Sequence, residues 1–270
     1  MRIILPRLWT LILALVVLAL MARHAGGDPI SIDGLPADWG IAPAGPFDSD
    51  WEPDPGIDGV WEDDAWTWSG YLGPGWGGQR YDAEGLYFTH DDAWAYFGLV
   101  TGFPPDGVDD DWAGDLALDI GRDGSWDLGI ETTGDRDHLP GALYRDIAWA
   151  SGLWPSSDPT EMLSATAAWT PPGGTLYYNY LGDDHYFLET GVPLSQLPLS
   201  PDQPTDFRAH WTMTCGNDAV DLDAQFPVTP NTPPSIIPEP ATCTLLGSGL
   251  LAVFALRARK RRRSGEPREA

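Results

Sequence analysis

Glycine, proline and aspartate punctuate this sequence so densely that short strands, not long helices, are what it can form. The 270 residues include 31 Gly and 26 Pro. Inside a helix each Gly costs about 1 kcal/mol and each Pro about 3 kcal/mol relative to Ala, so long helices do not survive such spacing. Between the breaks stand short apolar runs, alternating or rich in aromatic residues, which is strand chemistry. None sustains a long 3.6-residue apolar period, and no internal repeat is visible.

The runs themselves place the strands. Glu84–Thr89 and Trp94–Thr101 flank His90–Ala93 and are predicted to form a β-hairpin. Asp115–Ile120 alternates, putting Leu116, Leu118 and Ile120 on one face. Gly121–Gly124 reads as a turn, and Ser125–Thr132 alternates again with Trp126, Leu128 and Ile130 inward. Further runs span Ala142–Ala150, Met162–Trp169, Thr175–Leu181, His185–Thr190 and Thr205–Thr214. The predicted fold is all-β, an antiparallel β-sandwich with long Trp/Asp/Gly-rich loops. An N-terminal signal helix and a C-terminal single hydrophobic helix are expected to flank it.

Charge narrows the partners. The formal net charge is −25. Residues 24–256 contain Arg80, Arg122, Arg136, Arg145 and Arg208, no Lys, and all of the 40 Asp+Glu except Glu266 and Glu269. Such a surface does not neutralise phosphates, so nucleic acid is not an expected partner. Cations or neutral polymers fit better.

The remaining basic residues mark the two ends. Arg2 and Arg7 precede the apolar run Leu8–Leu20, the pattern of a secretory signal peptide over residues 1–25, with Ala22 or Ala25 at the cleavage point. The sandwich is expected over residues 28–226, a Pro-rich linker over 227–237 and a disordered tail over 264–270. Between the last two lie Pro238, Glu239 and Pro240, an apolar stretch to Leu256, and the basic cluster Arg257, Arg259, Lys260, Arg261, Arg262 and Arg263. A short apolar span followed by basic residues holds a tail in the membrane with its charges on the cytoplasmic side. The exported part then keeps only Cys215, which excludes an intrachain disulfide there.

That order over residues 238–263 closely resembles the PEP-CTERM sorting signal of bacterial surface proteins. The resemblance implies processing by an exosortase-type transpeptidase that cuts near the Pro-Glu-Pro motif. It further implies a bacterium with an extracellular polysaccharide matrix, and a protein left at the cell surface or secreted. Residues 30–225 resemble, in shorter motifs, family 9 carbohydrate-binding modules and their DOMON-like relatives. The matching residues are Ile30–Trp39, Asp91–Tyr96, and Leu116–Trp126 with Asp119, Asp123 and Gly124. That resemblance implies an antiparallel sandwich that binds sugar or, in some relatives, haem. The stretch from Trp51 to Arg80 departs from it as an inserted loop.

Two segments could carry chemistry. Trp51, Trp61, Trp66, Trp68, Tyr71 and Trp76 are interleaved with Asp54, Asp58, Glu62, Asp63 and Asp64. Flat rings cover the apolar face of a sugar while carboxylates accept its hydroxyl hydrogens. Trp61, Trp66, Trp68, Tyr71 and Trp76 are therefore the candidate carbohydrate ligands; roofing of the sandwich core is the competing role for each ring. Asp119, Asp123 and Asp127 form a candidate Ca2+ loop, but Ile130 stands where an EF-hand has its bidentate Glu. A plain Asp-Gly hairpin explains the same three residues. Asp106–Asp111 is a second acidic run with the same ambiguity.

No G-x-S-x-G, H-E-x-x-H or Walker loop is present. The sequence thus points to non-enzymatic polysaccharide binding. A Ca2+-dependent structural matrix protein without a sugar site is the alternative, and a glycoside hydrolase, needing only two facing carboxylates, is a third.

Overall fold

The structure, a computed structural model, describes residues 30–42, 51–61, 78–134, 136–173, 175–182 and 184–228. Within them the chain is mostly β. Its strands are β1 (Asp58–Trp61), β2 (Ala83–His90), β3 (Trp94–Thr101), β4 (Leu116–Ile120), β5 (Leu128–Ile130) and β6 (Leu143–Trp149). They continue with β7 (Met162–Trp169), β8 (Leu176–Gly182), β9 (His185–Pro193), β10 (Thr205–Thr212) and β11 (Ala219–Phe226). Two antiparallel sheets result, β1-β2-β3-β9-β8 and β11-β10-β4-β5-β6-β7. Among the described residues no helix is long and apolar enough to cross a membrane. The expected signal helix, C-terminal hydrophobic helix, sorting motif, basic cluster and tail, and the linker beyond residue 228, lie outside the described residues.

Both predicted hairpins form. β2 and β3 pair with Phe88 opposite Phe97. Asp91 closes their turn: its Oδ1 accepts the N–H groups of Ala93 and Trp94, both at 2.7 Å, and its Oδ2 accepts the Tyr96 hydroxyl at 2.8 Å. An aspartate that binds the backbone two and three residues on is a strong turn former. β4 and β5 pair with Leu116 opposite Ile130 and Leu118 opposite Leu128.

The two sheets share one hydrophobic core. Leu86, Phe88, Phe97, Leu99 and Leu188 from the first meet Leu116, Leu118, Phe207, Trp211, Leu222 and Phe226 from the second. Phe88 sets its ring edge-on to Phe207 at 4.8 Å and to Phe226 at 5.3 Å. Each such buried ring contributes about 2–3 kcal/mol by area, and edge-on pairs add about 1 kcal/mol.

The first sheet is also covered on its other face. Trp39, Ile41 and Trp51, from the segments before β1, pack on Tyr87, Tyr96, Val100 and Phe187. Gly98 makes room: a Cβ there would stand 3.3 Å from the Trp39 ring and 3.1 Å from Phe187. Glu189 of β9 anchors the cover. It accepts hydrogen bonds from the Asp33 and Gly34 N–H groups and from Trp39 Nε1, at 2.8, 2.7 and 2.8 Å.

Three details differ from the sequence reading. Trp126 does not point into the core. It precedes β5 and lies over His210, with ring centres 5.4 Å apart, on the side of the sheet away from the core. β1 falls inside the stretch read as an inserted loop, where it pairs with β2. β11 escapes the reading although Val220, Leu222, Ala224 and Phe226 alternate.

Candidate functional site

Of the aromatic run proposed for sugar, the structure describes two members and separates their roles. Trp51 is 1 % exposed and packs on His185 with ring centres 5.3 Å apart. It is a cover residue of the first sheet, so the core role wins there. Trp61, the last residue of β1, is 38 % exposed. Trp66, Trp68, Tyr71 and Trp76 lie outside the described residues.

Two indoles that the sequence reading passes over are exposed as well. Trp112 is 49 % and Trp154 56 % exposed, and Leu153 beside the latter is 71 % exposed. Each stands alone between apolar runs, so no pattern announces it. The usable signal is position: Trp112 follows Asp109–Asp111 and Trp154 precedes Pro155, both in loops.

The Asp119 group is a tied turn. Asp119 Oδ1 accepts the Asp123 N–H at 3.0 Å and its Oδ2 the Gly124 N–H at 2.9 Å. Asp123 Oδ1 accepts from Ser125 N–H at 2.9 Å, and Asp127 Oδ2 from Ile120 N–H at 2.8 Å. The hairpin uses these carboxylates as backbone acceptors. In the second acidic run Val108 and Asp111 exchange two backbone hydrogen bonds, with Asp109 and Asp110 at the exposed tip. Among the described residues no group of three or more His, Cys, Asp or Glu is placed to hold a metal ion.

His185 and His210 meet carboxylates across strands, and His138 meets one within the β5–β6 connection. His185 Nε2 lies 3.1 Å from Glu84 Oε1, both fully buried, and Gln79 joins them through its side-chain amide. His210 Nδ1 lies 3.1 Å from Asp221 Oδ1, and His138 Nδ1 3.3 Å from Glu131 Oε2. His90 Nδ1 lies 3.3 Å from the carbonyl of Asp91, and its ring stands beside Phe88. Cys215 is half-buried, and that desolvation pushes its thiol up to about 11. It stays protonated at neutral pH, so it lacks the thiolate character of a nucleophile.

A buried pair of carboxyl groups joins the sheets at one end. Asp218, just before β11, accepts the Ala83 and Ala219 N–H groups at 2.9 Å each and is hydrogen-bonded to the Asp82 side chain. Burial, and then the Asp82 charge, hold the Asp218 carboxyl well above the ordinary carboxylate range.

A polar cleft of about 280 Å3 is lined by Asp58, Arg122, Asp206, Asp223, Ala224 and Gln225. Two of its three acids are engaged: Asp223 with Arg122 at 2.6 Å and Arg208 at 2.9 Å, and Asp206 with the Gln225 amide at 2.7 Å. It presents no aromatic ring on which a sugar could stack. Comparison with protein-family models, with curated proteins and with solved structures returns no match for this chain.

Proposed function

We propose that this protein is exported, is processed at its C-terminal signal by an exosortase-type transpeptidase, and binds polysaccharide without catalysing a reaction. It acts at the cell surface or in the extracellular matrix. The finer architectural reading is a β-sandwich, which the core shared by the two sheets supports. Before processing, the span after Pro240 anchors the chain in the membrane.

The single observation behind the binding role is Trp61. An indole left 38 % exposed at the end of β1 opens the run that continues through Trp66, Trp68, Tyr71 and Trp76. An exposed ring set among carboxylates suits the apolar face and hydroxyl rim of a neutral sugar. The overall acidity works against anionic polymers.

Affinity electrophoresis of the full-length protein in mild detergent tests the binding half. Gels cast with hydroxyethylcellulose, xylan, glucomannan or dextran should retard it on at least one polymer; equal mobility on all four refutes binding to this class. Replacing Pro238, Glu239 and Pro240 together by Ala tests the sorting half. The wild type should shorten when co-expressed with an exosortase, and the triple variant should keep its full mass.

A further inference from the structure

We infer that the loop end formed around residues 107–112, 152–157 and 213–217 carries a second carbohydrate platform, built by Trp112, Leu153 and Trp154, whose ligand is a neutral polysaccharide. The inference rests on the polysaccharide-binding reading above but places a site that the aromatic run does not contain.

The backbone brings the two exposed indoles onto neighbouring loops. Trp112 is clamped to Thr214 from both sides: its N–H donates to Thr214 Oγ1 and its carbonyl accepts the Thr214 N–H, each at 2.8 Å. Leu153 donates its N–H to the carbonyl of the next residue, Cys215, at 2.9 Å. The Ser157 hydroxyl then bridges the Trp154 and Gly216 carbonyls at 2.9 and 2.8 Å. The loops bearing Trp112 and Leu153–Trp154 are thus pinned to consecutive residues of the β10–β11 connection.

The Trp112 ring is held without being buried. Gly107 has no side chain, and a Cβ built there would lie 3.1 Å from Trp112 Cε3, so that indole rests against the backbone of Gly107. Its remaining surface is open, as is most of Leu153 and Trp154. Exposed apolar side chains carried by loops fixed beside one another offer a surface on which an apolar face can bind. A fixed ring loses little freedom on binding, which favours a stacking platform over a flexible lure.

Charge selects the occupant. Asp109 and Asp110 form the exposed tip of the turn that precedes Trp112. They can accept hydrogen bonds from sugar hydroxyls and would repel an anionic polymer. A second copy of this chain would bring the same acidic tip against itself, and residues 24–256 set only five Arg and no Lys against all of the 40 Asp+Glu except Glu266 and Glu269. A neutral pyranose chain meets both features, its C–H face on the rings and its hydroxyls on the carboxylates.

The test uses the full-length protein and the same four polymers, with Trp112→Ala, Trp154→Ala and the double variant. The melting temperature should hold, because both rings are exposed, while the double variant should lose retardation by about tenfold or more. Trp112→Phe, which keeps a stacking ring, should retain most of it. If the double variant is retarded like wild type while Trp61→Ala is not, the platform is refuted and the polysaccharide reading stands. If the wild type itself passes every gel unretarded, both fall. If sedimentation shows a wild-type dimer that the double variant breaks, with retardation unchanged, the surface is a self-association face and the inference is overturned.

Discussion

β2, β3 and β9 are buried along nearly their whole length, whereas β6 and β7 turn much of one face to solvent. The first sheet lies between the shared core and the cover of Trp39, Ile41 and Trp51; on the second, the described residues form a small outer cluster of Ala142, Tyr144 and Met162. The same acidic chain therefore handles its charges in two ways. On the covered sheet Glu84 and Glu189 are fully buried and held by hydrogen bonds. On the open one Arg208 and Asp223 pair at the surface. The cover supplies the donors that Glu189 needs, whereas the second sheet satisfies its own buried Asp115, Asp119 and Glu131 with backbone N–H groups of nearby turns and strands.

Removing the cover's main ring should do the most damage. Trp39→Ala deletes a fully buried indole that touches Tyr87 and Phe187. Urea unfolding should show a loss of about 3–5 kcal/mol. A loss below about 1 kcal/mol would mean that the cover is an ornament on a sheet stable without it.

Glu189→Ala comes next, at about 3 kcal/mol, because it strands three donors in a buried place. Glu189→Gln, which keeps one acceptor oxygen, should cost less. Burial outweighs the three donated bonds and holds this carboxyl above its ordinary range. Its contribution therefore weakens as pH rises through the interval between its unfolded and folded values. Equal losses for Ala and Gln would contradict an acceptor role.

The alternation in the sequence tracks this contrast only on one side. Leu116, Leu118 and Ile120 read correctly as the core face of β4, although Ala117 and Asp119 on its other face are buried as well. The runs of β2 and β3 are legible as a hairpin, but nothing in Glu84–Thr89 says that a second layer lies on Tyr87. That layer is set by contacts across more than a hundred residues, as between Asp33 and Glu189. Trp126 misleads for a related reason: alternation assumes a strand, and the strand starts only at Leu128. In the candidate site, sequence clustering drew attention to Trp51, which the cover buries. The isolated Trp112 and Trp154 are left exposed by loops whose geometry no local pattern encodes.

On the open sheet the Asp119 turn offers an intermediate effect. Asp119→Ala removes acceptors for two backbone N–H groups at a partly buried turn and should cost about 2 kcal/mol. EDTA should leave the wild-type melting temperature unchanged, since backbone donors engage both Asp119 oxygens. A fall on chelation would instead make these acids cation ligands and revive the Ca2+-dependent matrix role.

The seam between the sheets should respond to pH. Asp218, raised by burial and by Asp82, keeps a proton that the unfolded chain has lost above about pH 4. Unfolding there releases a proton, so stability declines as pH rises, by at most about 1.4 kcal/mol per pH unit, until Asp218 ionises. Asp82→Asn removes the like charge and offers an amide donor, and should flatten the slope. A profile identical to wild type would show that the two carboxyls do not share the proton.

The smallest effect belongs to the most exposed charges. Arg122 lies 2.6 Å from Asp223, yet both side chains are 42 % exposed. Water screens such a pair, and ordering two flexible side chains consumes much of the gain, so Arg122→Ala should cost less than about 1 kcal/mol. Asp223 also keeps Arg208 at 2.9 Å, which leaves its charge compensated in the variant. The comparison with Glu189→Ala is the informative one: that change leaves three donors without an acceptor at a buried place, whereas this one leaves an exposed carboxylate still paired with Arg208. Similar losses for the two would mean that the open sheet is covered in solution, and that its ion pairs belong to an interface rather than to solvent.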